Sequence, residues 1–140
     1  MGDKETGALT SEHGQYGNTG AKYGATQYWG LDLTDLADGN SMSIQFMLPE
    51  KPTQNLLFGF WLATGKSGGP HIQYNMSAPQ VTNAAYTITL VDAEGKLATS
   101  IEADVVYTLT LTLTDATDTI TGNWLSYMNS ADTKVMYVAK

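Results

Sequence analysis

The chain has 140 residues, enough for one domain that buries about two-thirds of its unfolded-chain surface, with an ordinary 42% of apolar residues but only 15% charged. Seven lysines, no arginine and fourteen acids leave a net charge of −7. That balance is repelled by phosphate backbones and anionic lipid and lacks the guanidinium forks that read guanine, so neither nucleic acid nor membrane is an expected partner. Without cysteine there is no disulfide, no thiol nucleophile and no thiolate metal site.

Threonine, with 19 copies, and 14 glycines replace the missing charges, and Thr and Tyr favour strands over helices. Residues 1–26 (MGDKETGALTSEHGQYGNTGAKYGAT) hold six glycines and, after Met1, Leu9 as the one sizeable aliphatic. They show neither a period of 2 nor one of 3.6 and no apolar stretch of the kind a signal peptide needs. The expectation is an extended Gly/Tyr-rich N-terminal arm over 1–26, followed by a single domain over 27–140.

From Gln27 the strand signals are regular. QYWGLDL (27–33) sets Trp29, Leu31 and Leu33 on one side, and LTDLADGN then turns. SMSIQFML (41–48) groups Met42, Ile44, Phe46 and Leu48, and PEKPTQN is a proline-bounded loop. LLFGFWLA (56–63) is apolar on both faces, as a central strand is. After TGKSGGP come HIQYNM (71–76), AYTITLV (85–91), the turn DAEGK, and LATSI (97–101). YTLTLTLTDATDTITGNW (107–124) reads as a hairpin, and KVMYVA (134–139) closes the chain. About eight or nine short strands with regularly spaced turns and no amphipathic helix predict an all-β fold, a single antiparallel β-sandwich of jelly-roll type.

The chemistry-bearing patterns are sparse. GFWLATGKS (59–67) ends like a phosphate-binding loop, but five residues separate Gly59 from Gly65 where that motif has four, and no helix follows. His13 and His71 are the two histidines, too few for zinc without cysteine, and neither is set in a triad. No catalytic role is expected. Asp32, Asp35 and Asp38, before Gly39-Asn40, are candidate oxygen ligands for calcium, with Asp115 and Asp118 as a second pair. Aspartates in such places also serve turns by accepting backbone N–H bonds. Calcium is thus the one cofactor considered. Asn75-Met76-Ser77 satisfies the glycosylation sequon but reads as part of a strand.

Most aromatic rings carry a polar handle: three Trp and eight Tyr against three Phe. Trp29 and Trp124 alternate with aliphatics and read as core. Tyr16, Tyr23, Tyr28, Trp61 and Tyr127 are the candidates for contacting a subunit or a glycan, because an amphipathic ring suits either. The hydroxyl row Thr108, Thr110, Thr112 and Thr114 reads as strand-forming residues on a wet face. An ordered ice-binding plane needs further rows in register, and YTIT (86–89) supplies a short one.

Two functions fit. The first is a structural assembly protein, a decoration or cement protein on a viral or phage capsid, whose sandwich sits on the virion surface and whose arm binds neighbouring protein subunits, including copies of itself. The alternative is a carbohydrate-binding module or lectin-like sandwich of an extracellular bacterial protein, holding glycan through exposed Tyr and Trp.

Overall fold

The computed structural model describes residues 6–9, 27–32, 37–51, 57–66, 71–129 and 136–139, with side chains over 37–51, 64–66, 72 and 74–121. The described residues form strands and no helix. Its centre is an antiparallel sheet of five strands: β3 (Ala37–Asp38), β4 (Ser41–Met47), β7 (Val81–Thr82), β8 (Tyr86–Val91) and β9 (Tyr107–Leu113). β4 pairs with β9, β9 with β8, and β8 with β7, while β3 folds back on the start of β4.

Alternation builds this sheet. Along β9, Tyr107, Leu109, Leu111 and Leu113 are buried while Thr108, Thr110 and Thr112 are half-exposed. Met42, Ile44 and Phe46 of β4 and Ile88 and Leu90 of β8 join the same buried face, with Phe46 and Tyr107 in tilted ring contact at 5.7 Å between centroids. β6 (His71–Asn75) contributes Ile72 and Tyr74 to that cluster, followed by Met76. Burial pushes the Tyr74 phenol above its ordinary pKa, and its hydroxyl donates to the Pro79 carbonyl at 3.1 Å.

A second set of antiparallel pairings runs β2 (Gln27–Asp32), β10 (Ile120–Asn129), β5 (Leu57–Thr64) and β6. β11 (Met136–Ala139) extends the first sheet beside β4, and β1 (Thr6–Leu9) lies antiparallel to β11. The sequence places Thr6–Leu9 in an arm without regular structure. Strand pairing at a sheet edge draws on backbone groups, which need no side-chain period.

Two expectations are corrected. Residues 107–124 are not a hairpin, because β9 pairs with β4 and β8 while β10 pairs with β2 and β5. The connection crosses from one set of pairings to the other, and the loop residues hold it there. Leu113 N–H donates to the Asn40 carbonyl and Ile120 N–H to the Gly39 carbonyl, both at 2.8 Å, so the Gly39-Asn40 turn joins the end of β9 to the start of β10. Gly39 makes that turn with φ of +59°, a region glycine enters at no steric cost.

The second correction concerns LATSI. Residues 97–101 are not a strand; Leu97 makes one isolated bridge to Val91 and is 64% exposed. Ala98 and Ile101 are the buried pair, three apart, a spacing that a two-residue period cannot produce. Gln80 fixes this segment: its Nε2 donates to the Leu90 and Ala98 carbonyls at 2.9 and 3.0 Å, and its Oε1 accepts from Leu90 N–H at 3.0 Å.

Candidate functional site

The cross-strand register sorts the aromatic candidates. On β10, Trp124 faces Trp61 of β5 on one side and Asp32 of β2 on the other, and Trp61 in turn faces His71 of β6. Asp32, Trp124, Trp61 and His71 therefore form one row across four strands. Two positions along lies Gly30–Ser126–Gly59–Gln73, and two further Tyr28–Met128–Leu57–Asn75. These three rows belong to one face, because successive strand residues alternate.

The rows between them are Leu31–Leu125–Phe60–Ile72 and Trp29–Tyr127–Phe58–Tyr74. Ile72 and Tyr74 are buried, so the intervening rows belong to the core-side face. Trp61 and Tyr28 thus share the face opposite the core rows, while Tyr127 holds a position in a core-side row. Trp124, which alternation with aliphatics reads as core, is placed beside Trp61. The identity of its cross-strand neighbour is the signal that separates it from Trp29, and that neighbour is remote in sequence. Tyr16 and Tyr23 lie outside the described residues.

The first sheet presents a different outer face. Ser41, Thr112, Thr87 and Thr82 are in register across β4, β9, β8 and β7, and Ser43, Thr110 and Thr89 form the next row. Thr108 lies between Gln45 and Val91. The hydroxyl rows are more extensive than the sequence discloses, because SMSIQ contributes serines. Their hydroxyls bond to one another: Ser43 Oγ lies 2.9 Å from Thr110 Oγ1 and Ser41 Oγ 3.4 Å from Thr112 Oγ1.

The acidic candidates separate as well. Asp38 is exposed on β3, opposite Ser41, and Asp32 is a β2 position facing Trp124. Asp35 lies outside the described residues. Asp115 and Asp118 organise the β9–β10 crossing. Asp115 Oδ2 accepts from Lys66 Nζ at 2.7 Å, and its Oδ1 accepts from Thr117 N–H and hydroxyl at 2.9 and 2.6 Å. The Lys66 ammonium, followed by the Thr117 hydroxyl and N–H, holds the Asp115 carboxyl well below the usual carboxylate range. Asp118 is buried, its Oδ1 accepting Lys66 N–H at 3.0 Å and Thr119 N–H at 2.9 Å.

Lys66 also meets the Thr117 hydroxyl. The Gly65-Lys66 pair that suggests a phosphate loop is therefore a turn clasped to the crossing, with Gly65 N–H donating to the Thr119 carbonyl at 2.9 Å. Asn75 of the sequon ends β6; its Oδ1 accepts Ser77 N–H and hydroxyl at 2.9 and 2.7 Å, an Asx turn that stops the strand. His71 is a strand position, and His13 lies outside the described residues.

No family model, no curated protein and no solved structure matches this chain.

Proposed function

We propose that this chain is a non-catalytic β-sandwich module that binds glycan on the face holding Trp61, Trp124 and Tyr28. The stacking of the two sets of strands into a sandwich is supported by the shared burial of Ile72 and Tyr74 with the core residues of β4, β8 and β9. The observation that carries the ligand is the facing register of Trp61 and Trp124, on the alternate positions to the core rows. Tryptophan is a residue type that stacks on the apolar face of a sugar ring, and Gln73, His71 and Asp32, at register positions of the same rows, are of types that bond to its hydroxyls. The setting that fits is an extracellular protein that adheres to polysaccharide.

Retention on insoluble polysaccharides, compared for wild type, Trp61→Ala and Trp124→Ala, tests this. The expected result is retention by wild type and its loss in both variants with melting behaviour unchanged. Equal retention by all three chains removes the mechanism.

A second reading, a cement protein on a viral or phage capsid, is favoured by β1. Backbone pairing of a short N-terminal strand is the mode by which an extended segment adds to a sheet edge, its own or a neighbour's. Limited proteolysis with a solution mass decides between them. Rapid loss of residues 1–26 from a monomer points to a missing partner subunit, whereas a resistant monomer leaves the glycan module.

A further inference from the structure

We propose that Asn75 is an acceptor for N-linked glycosylation, taking its sugar from a pyrophosphate-activated donor at the turn that ends β6. The inference is independent of what the aromatic rows bind.

The sequence supplies the acceptor type. Asn75-Met76-Ser77 is the one Asn-x-Ser/Thr triplet of the chain, and its middle residue is not proline. Held within a ladder, such a triplet is closed to an enzyme. The fold takes it out of the ladder: β6 ends at Asn75, and the Asn75 carbonyl accepts Ala78 N–H at 3.0 Å, which closes a turn of four residues. Met76 is buried in the core cluster, Asn75 is half-exposed, and Ser77 and Ala78 are exposed. The methionine anchors the turn and leaves the asparagine and serine at the surface.

The carboxamide is oriented for the reaction. Its Oδ1 accepts Ser77 N–H at 2.9 Å and the Ser77 hydroxyl at 2.7 Å. A backbone N–H can only donate, so the atom facing Ser77 is the oxygen, and Nδ2 lies on the far side of the carboxamide. Among the described residues Nδ2 makes no hydrogen bond. Two donors on Oδ1 favour the charge this oxygen takes up as Nδ2 gives up a proton, which makes the nitrogen a better nucleophile. In the transfer the Nδ2–C1 bond forms and the bond from C1 to the pyrophosphate oxygen breaks. The electron pair leaves with the pyrophosphate, and the Nδ2 proton passes to a carboxylate of the transferase.

The position gives the modification a use. β6 is the end strand of the β2–β10–β5–β6 order, and an end strand offers backbone groups to other chains. A bulky, solubilising glycan at the end of β6 hinders their approach.

Two experiments test the inference. In the first, the full chain is secreted behind a cleavable leader from a eukaryotic cell line and weighed intact before and after peptide N-glycosidase F. The expected result is one glycan, released by the enzyme, lost in Asn75→Gln and Ser77→Ala, and retained in Ser77→Thr, which keeps both the hydroxyl and the N–H. In the second, the purified, folded wild-type chain is given a soluble asparagine glycosyltransferase and uridine diphosphate glucose. The expected result is one added hexose, located at Asn75 by peptide mass mapping.

A secreted chain without glycan, or a glycan that persists in Ser77→Ala, overturns the inference. So does a folded chain that accepts no hexose while a peptide spanning residues 71–80 does, because the turn then plays no part. The second experiment uses wild-type protein, so a variant that fails to be secreted does not block the test.

Discussion

The positions that alternate with the core rows follow opposite plans in the two sets of strand pairings. On the five-stranded sheet, Ser41, Ser43, Thr110 and Thr112 bond to each other across strands, and the alternate residues form the core. Part of that polar face is satisfied from within. Across the β2–β10–β5–β6 pairings, the corresponding positions hold two tryptophans and a tyrosine beside glycine and serine. A strand-forming hydroxyl face explains itself by fold alone, whereas the aromatic pair is the feature on which the proposed glycan reading rests.

Substitutions at matched positions sharpen that contrast. The largest effect is expected at the core row: Leu109→Ala should lower stability by about 2–5 kcal/mol, read from urea unfolding. Next comes Gln80→Ala, which removes three hydrogen bonds around Leu90 and Ala98 and should cost about 1–3 kcal/mol in the same measurement. The loss of ligand retention in Trp61→Ala, by contrast, should leave the unfolding midpoint where it is. A midpoint that falls as far as in Leu109→Ala would assign the indole to packing.

The acid response supplies a smaller effect. Asp115 has a lowered carboxyl pKa in the folded chain, through Lys66 first and Thr117 next. Its folded-state pKa lies below the unfolded value, so its contribution is present above the ordinary carboxylate range near pH 4 and is lost as pH falls below it. Asp115→Asn should therefore flatten the decline of stability between about pH 4 and pH 2, monitored by thermal melts. An unchanged slope would show that the Lys66 clasp does not act on the folded state. The smallest effect is expected at Thr110→Val, one residue from Leu109, with a change within about 0.5 kcal/mol. Together, Leu109 and Thr110 test whether the two faces of β9 differ as burial requires.

Legibility in the sequence followed the same divide. The faces of β4, β8 and β9 are written in strict alternation, and Met42, Ile44, Phe46, Leu109 and Leu111 are buried as that alternation requires. The β9–β10 connection was not legible, because an Asp-rich loop between two strands looks alike whether the strands pair or part company. What separates them is tertiary: Gly39, Asn40 and Lys66, all distant in sequence, bind the loop. β7 has two residues and β1 four, too few for a period to stand out. The Trp61–Trp124 pairing depends on register, and register is fixed by the core rows and turns rather than by the tryptophans themselves.

Gln80 has one more consequence, for the behaviour of concentrated protein. Strands of alternating leucine and threonine are good material for cross-β fibrils, which grow when an open strand offers its N–H and C=O to another copy. β7 pairs with Ile88 and Thr87 of β8, and the next backbone groups on that side of β8 are those of Leu90. The Gln80 amide takes both, donating to the carbonyl and accepting from the N–H. The Gln80 side chain and the Ala98 N–H, which also donates to the Leu90 carbonyl at 2.9 Å, thus occupy the backbone groups just past the end of β7, so that a second molecule finds them already paired.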